Sequence, residues 1–81
     1  MKDAISVEQS RAARGLLNWS RDDLAAASGV PKRTIADFEL ATTAPRSRTL
    51  QAIRTAFEAA GVEFIPENGG GAGVRLRRTS A

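Results

Sequence analysis

Cysteine and histidine are both missing from this 81-residue chain. Without cysteine there are no disulfides and no thiolate metal ligands. Without histidine the commonest metal ligand and the usual proton shuttle at neutral pH are gone. No nucleophile stands beside an evident base, and no cluster of side chains has metal-ligand spacing. Enzymatic chemistry, a metal site and a bound cofactor are therefore not expected. No stretch nears the roughly 20 apolar residues of a membrane span, and Met1 to Ser10 lacks the apolar run of a signal peptide. The expectation is a soluble cytoplasmic protein with no membrane association and no evident small-molecule ligand. The length leaves room for one domain, whose modest core needs compact helices, a partner, or both.

The formal net charge is +3, and its distribution says more than its size. Residues 1–30 carry four basic side chains (Lys2, Arg11, Arg14, Arg21) against four acidic ones (Asp3, Glu8, Asp22, Asp23). The remainder carries eight basic against five acidic, so the whole excess follows Val30. A basic half suits a polyanionic partner, although at this magnitude charge alone decides little.

Helical signals fill the chain as far as Gly61. Ser6-Val7-Glu8-Gln9 reads as a capping box, with Ser6 accepting from the Gln9 amide and the Gln9 side chain reaching back. Ala13, Leu16 and Leu17 supply an apolar face for this first helix, which is expected to end near Asn18. Gly15 inside it lowers its intrinsic stability by about 1 kcal/mol relative to alanine, so the helix leans on packing. Ser20 opens a short second helix, with Asp22 and Asp23 in its first turn where the helix dipole favours negative charge. Gly29 stops it, and Pro31 suits the first turn of a third helix. Ile35 and Phe38 mark the buried side of that helix, leaving Lys32, Arg33, Ala36 and Asp37 off that face. A loop is expected from Thr42 to Ser47. A fourth helix follows, its Leu50, Ile53, Ala56, Phe57 and Ala60 forming the cleanest amphipathic stripe in the chain.

After Gly61 the period changes to alternation. Val62-Glu63-Phe64 and Val74-Arg75-Leu76-Arg77 read as two strands, joined by a glycine-rich turn from Pro66 to Gly73. An isolated hairpin is marginal in water, so this one must pack on the helices or pair with another chain. Gly69, Gly70, Gly71 and Gly73 are read as its flexible tip rather than as a phosphate cradle, because no helix follows to present its N-terminus.

Arg21, Ala25, Gly29 and Ile35 are separated by three, three and five residues. That spacing suits two short helices joined by a tight turn. Ala25 must be small because the third helix crosses above it, Gly29 must accept a positive φ, and Ile35 plugs the angle from inside.

With these residues in view, the chain resembles the phage repressor and Cro type of helix-turn-helix protein, the xenobiotic-response-element (XRE) or lambda repressor-like family. Trp19-Ser20-Arg21-Asp22-Asp23-Leu24-Ala25 is similar to the family's signature, and Gly29-Val30-Pro31-Lys32-Arg33-Thr34-Ile35 continues it. Phe38-Glu39, Pro45-Arg46 and Thr49-Leu50 also match, so the resemblance covers roughly residues 6–61. It implies an all-α fold: a four-helix lambda repressor-like domain over residues 1–61, here followed by a short C-terminal β-hairpin over 62–78 and a tail over 79–81.

The resemblance further implies a recognition helix lying in the major groove, with Lys32, Arg33 and Asp37 at base edges. Arg33 is best matched to guanine, since its fork meets O6 and N7. Lys32 suits either a base or the backbone. Asp37 either accepts from cytosine N4 or orients Arg33. Thr34 is placed within reach of the backbone or a thymine methyl. Phosphate contacts are expected from Ser20, Arg21, Thr34, Thr43, Arg46 and Arg48. Arg14 and Glu39 are implied to form a buried structural pair, and Trp19 a core position rather than a base-stacking one. Arg75, Arg77 and Arg78 form either a solvated edge and tail or an auxiliary grip on DNA.

The chain departs from the family at four places. Arg21 stands where a glutamine is usual. Ser10 stands where an aliphatic residue normally packs. Leu40-Ala41 replaces a polar residue followed by glycine; alanine tolerates a left-handed turn poorly, so the third helix is expected to run on or its loop to be reshaped. The hairpin replaces a frequent extra helix. The expected function is sequence-specific binding of double-stranded DNA by a homodimeric transcriptional repressor on a pseudo-palindromic operator. The alternative is an antitoxin-like DNA-binding subunit that also holds a partner protein through the hairpin's free edges.

Overall fold

The computed structural model describes residues 4–77. Arg78 and the 79–81 tail lie outside the described residues. Four helices come first: α1 (Val7–Leu17), α2 (Arg21–Ser28), α3 (Lys32–Glu39) and α4 (Ser47–Ala59). A hairpin of β1 (Val62–Ile65) and β2 (Gly73–Leu76) completes the fold. Among the described residues no helix is long and apolar enough to cross a membrane.

Capping side chains set the helix starts. Ser6 Oγ accepts from the Gln9 amide at 3.0 Å while the Ser6 amide donates to Gln9 Oε1 at 2.9 Å. The same reciprocal arrangement opens α2, where Ser20 and Asp23 exchange bonds of 3.1 and 2.9 Å. Asp23 thus caps as well as complementing the dipole. The end of α1 is a left-handed turn at Asn18 (φ 57°), in which the Trp19 amide reaches Arg14 O at 2.8 Å. Gly29 ends α2 with φ 77°, the conformation a side chain would resist.

The element boundaries differ from expectation by single residues. Pro31 has an extended ψ of 141° and sits just before α3, where its carbonyl accepts from the Ile35 amide at 3.1 Å. Ser47 already belongs to α4, and Gly73 to β2. A larger difference lies in α1. Leu16 is 41 % exposed, and the inward face is instead Gln9, Ser10 and Ala13, with Leu17 packed beside them. Residues 10, 13 and 17 share a stripe at helical spacing, and Leu16 falls off it.

Ile5, Ala13, Leu24, Val30, Ile35, Phe38, Ile53, Ala56, Phe57 and Val62 form one core. Phe57 is fully buried at its centre, a placement that stabilises by roughly 1.5–3 kcal/mol. Trp19 stacks on it with ring centroids 5.8 Å apart, and Phe64 tilts against it at 6.1 Å. Trp19 is therefore a packing residue.

The hairpin lies on the helices. Val62 pairs with Leu76, Glu63 with Arg75, Phe64 with Val74 and Ile65 with Gly73, all antiparallel. Val62, Phe64 and Val74 pack against the core. The Gln9 side chain donates to Gly73 O at 3.0 Å, tying β2 to α1. Arg54 of α4 covers the Phe64 ring at 5.2 Å, a cation–π contact. Arg77 Nη2 donates to Glu58 O at 2.8 Å. Glu63 and Arg75 form a 2.8 Å surface ion pair that holds the Glu63 carboxyl below its ordinary value.

Candidate nucleic-acid interface

The second and third helices meet across Gly29 and Val30, with Leu24 and Ile35 sealed beneath and Ala25 half-buried between them. That packing leaves the first turn of α3 at the surface. Arg33 is the most open cation there, its side chain 90 % exposed, and its Nε lies 3.9 Å from Asp37 Oδ2. An ion pair this open contributes little stability, so its consequence is orientation rather than energy. Lys32 reaches back across the turn to Asp22 of α2, Nζ to Oδ1 at 3.2 Å, in a pair that is also exposed. Thr34 is half-buried.

The end of α3 is held by a left-handed residue. Ala41 has φ 58°; its amide donates to Phe38 O at 3.0 Å and the Thr42 amide donates to Asp37 O at 2.8 Å. This is a Schellman turn with alanine where glycine is preferred. The expected run-on or reshaping of the helix end does not occur. Two closing hydrogen bonds and the buried anchors Phe38 and Glu39 hold the turn against the steric cost of the alanine Cβ.

Thr43, Arg46 and Arg48 follow in exposed positions on the loop and the first turn of α4. Thr43 is attached only loosely, its amide 3.5 Å from Asp37 O. Arg46 provides the backbone carbonyl that accepts from Thr49 and Leu50 at the start of α4. Ser20, exposed at the start of α2, uses its hydroxyl oxygen for the cap.

Behind this surface lies a buried carboxylate. The Glu39 side chain is 0 % exposed and receives four hydrogen bonds. Arg14 donates to both oxygens, Nη2 to Oε1 at 2.7 Å and Nε to Oε2 at 3.0 Å. Ser10 Oγ donates to Oε2 at 2.6 Å, and Arg21 Nε to Oε1 at 3.1 Å. Burial pushes the Glu39 carboxyl up. Hydrogen bonds from Arg14, Ser10 and Arg21, with the Arg14 charge, outweigh it and hold the group below its ordinary value. Arg14 also donates through Nη1 to Trp19 O at 3.2 Å. One carboxylate at the end of α3 is thereby bonded to both α1 and α2.

Ser10 and Arg21 were not recognisable as members of this network from spacing. The available signal was that both depart from the family pattern. They are the two departures that meet at Glu39, one supplying a hydroxyl that adds a second hydrogen bond to Oε2 beside that from Arg14, where an aliphatic group would supply none.

The α2–turn–α3 unit, with its exposed basic first turn and its fixed end, defines a DNA-binding helix-turn-helix domain. The family model HTH_3, described as Helix-turn-helix, matches residues 11–63. The chain belongs to that family, the XRE or lambda repressor-like helix-turn-helix proteins. The family is one of DNA-binding regulatory domains and not typically enzymatic. No curated protein matches the chain.

Proposed function

We propose that this protein is a sequence-specific transcription regulator that binds double-stranded DNA as a homodimer in the cytoplasm and represses by occluding a pseudo-palindromic operator. The observation that carries the reading is the exposure of Arg33 at the first turn of α3, flanked by Lys32 and Asp37, on a helix whose opposite side is core. In this reading α3 enters the major groove. Arg33 meets a guanine edge, Lys32 a base or phosphate, and Asp37 either a cytosine amine or Arg33 itself. Ser20, Arg21, Thr34, Thr43, Arg46 and Arg48 address phosphates around it. Among the described residues Arg46 and Arg48 have no side-chain ion-pair or hydrogen-bond partner, which suits that role. A single small module presents limited surface, and two-fold symmetry supplies the affinity one copy lacks. The hairpin, whose Leu76 is half-exposed, serves as the dimerisation element.

The test is fluorescence anisotropy of the purified protein on DNA from immediately upstream of its own gene, competed with mixed-sequence DNA at fixed salt. Preference by a factor of about 10³ or more is expected for a specific regulator. Equal and steeply salt-dependent binding to both would leave only the electrostatic component and remove the regulator reading.

A further inference from the structure

The two arginines on Glu39 are not equivalent. Arg14 has all three of its guanidinium nitrogens engaged inside the protein: Nε and Nη2 on Glu39, Nη1 on Trp19 O. Arg21 has only Nε engaged, on Glu39 Oε1, and its side chain is 30 % exposed. Its Nη1 and Nη2 groups have no partner among the described residues. Two guanidiniums face one carboxylate, so the cluster keeps a net positive charge, and the less buried of the two cations carries it outward.

We infer that Glu39 is a positioning residue for Arg21, holding its guanidinium by Nε so that the Nη1–Nη2 edge stands ready for a DNA phosphate. The inference deepens the DNA-binding reading and rests on it. A long arginine side chain normally loses its rotamer freedom when it binds; here that ordering accompanies folding, and binding is relieved of it. The planar fork makes the division possible, because one edge can serve a carboxylate while the other serves a phosphate. Glu39 is itself fixed at its other oxygen by Ser10. Since Glu39 ends α3 and Arg21 begins α2, the pairing also sets the backbone grip in register with the helix that carries Arg33.

The experiment combines two readouts on the wild type and Arg21→Ala, both kept well below their unfolding temperatures. Anisotropy against salt concentration, on the upstream fragment and on a mixed-sequence duplex, is expected to give a slope shallower by about one for Arg21→Ala on both DNAs. The Glu39 side-chain carboxyl carbon resonance reports the pairing, its response to loss of the arginine being calibrated by Arg21→Ala in the free protein. In the wild type it is expected to keep its position when DNA is added. An unchanged slope with DNA binding intact would make Arg21 structural only. Movement of the Glu39 resonance on DNA toward the Arg21→Ala position would show Arg21 leaving the carboxylate, and positioning would be refuted. If the wild type binds neither DNA, the DNA-binding reading falls and takes this inference with it.

Discussion

Ala41 is the residue at which local chemistry and fold are most plainly opposed. Its φ of 58° places a Cβ where the left-handed conformation crowds the carbonyl oxygen, at a cost of about 1–2 kcal/mol. Asn18 adopts the same region at the end of α1, but asparagine visits it far more readily. Replacing Ala41 by glycine removes the clash while adding backbone freedom to the unfolded chain. The net expectation for Ala41→Gly is a gain of roughly 0.5–1 kcal/mol, a few degrees in Tm for a domain of this size. Urea and thermal denaturation measure it. A variant no more stable than wild type would mean that the turn relaxes around alanine at little cost.

At the scale of the element, α3 is a helix whose two ends have different jobs. Its C-terminal end is immobilised through Glu39 and the Ala41 turn, and its first turn projects Lys32 and Arg33 with little to hold them. The projecting first turn of α3 and the exposed start of α4 predict different signatures for two substitutions. Arg33→Ala should reduce discrimination at particular base pairs by about 1–3 kcal/mol and leave binding to unrelated DNA nearly unchanged. Arg46→Ala should weaken all sequences alike and flatten the salt dependence by about one. Binding titrations on an operator and its single-base variants separate the two. Identical effects from both would place α3 away from the bases.

Much of this element was legible from the chain itself. Gly29 and the two serine caps are locally encoded, because each answers a backbone requirement within a few residues of itself, and Ile35 is legible from its spacing to them. Ser10 and Arg21 were not, since their partner is 29 and 18 residues away and no periodicity connects them. Leu16 misled for a related reason: an apolar residue beside a stripe reads as part of it until packing chooses the face. Ala41 misled in the opposite direction, because its propensity argued against a turn that tertiary anchors at Phe38 and Glu39 enforce.

For the molecule as a whole, the Glu39 cluster makes stability depend on acid. The carboxyl is held below its ordinary value of 4.5 in the folded chain and returns toward it on unfolding. Stability from this group is therefore fully present above that ordinary value and is lost as pH falls through the lower folded one. The loss approaches about 1.4 kcal/mol per pH unit for one proton. Ser10→Ala isolates the effect without leaving the carboxylate unpaired, since both arginines remain. At neutral pH it should lower stability by about 1.5–3 kcal/mol, the worth of a hydrogen bond to a charged group. As acid protonates Glu39, wild type loses the advantage that Ser10 confers on the ionised form, and the two unfolding curves should converge. Denaturant titrations from neutral pH to below the ordinary carboxylate range measure the gap directly. A gap that stays constant across that range would mean that Ser10 stabilises by filling space rather than by donating to a charged Glu39. The carboxylate would then join the helices through its arginines alone.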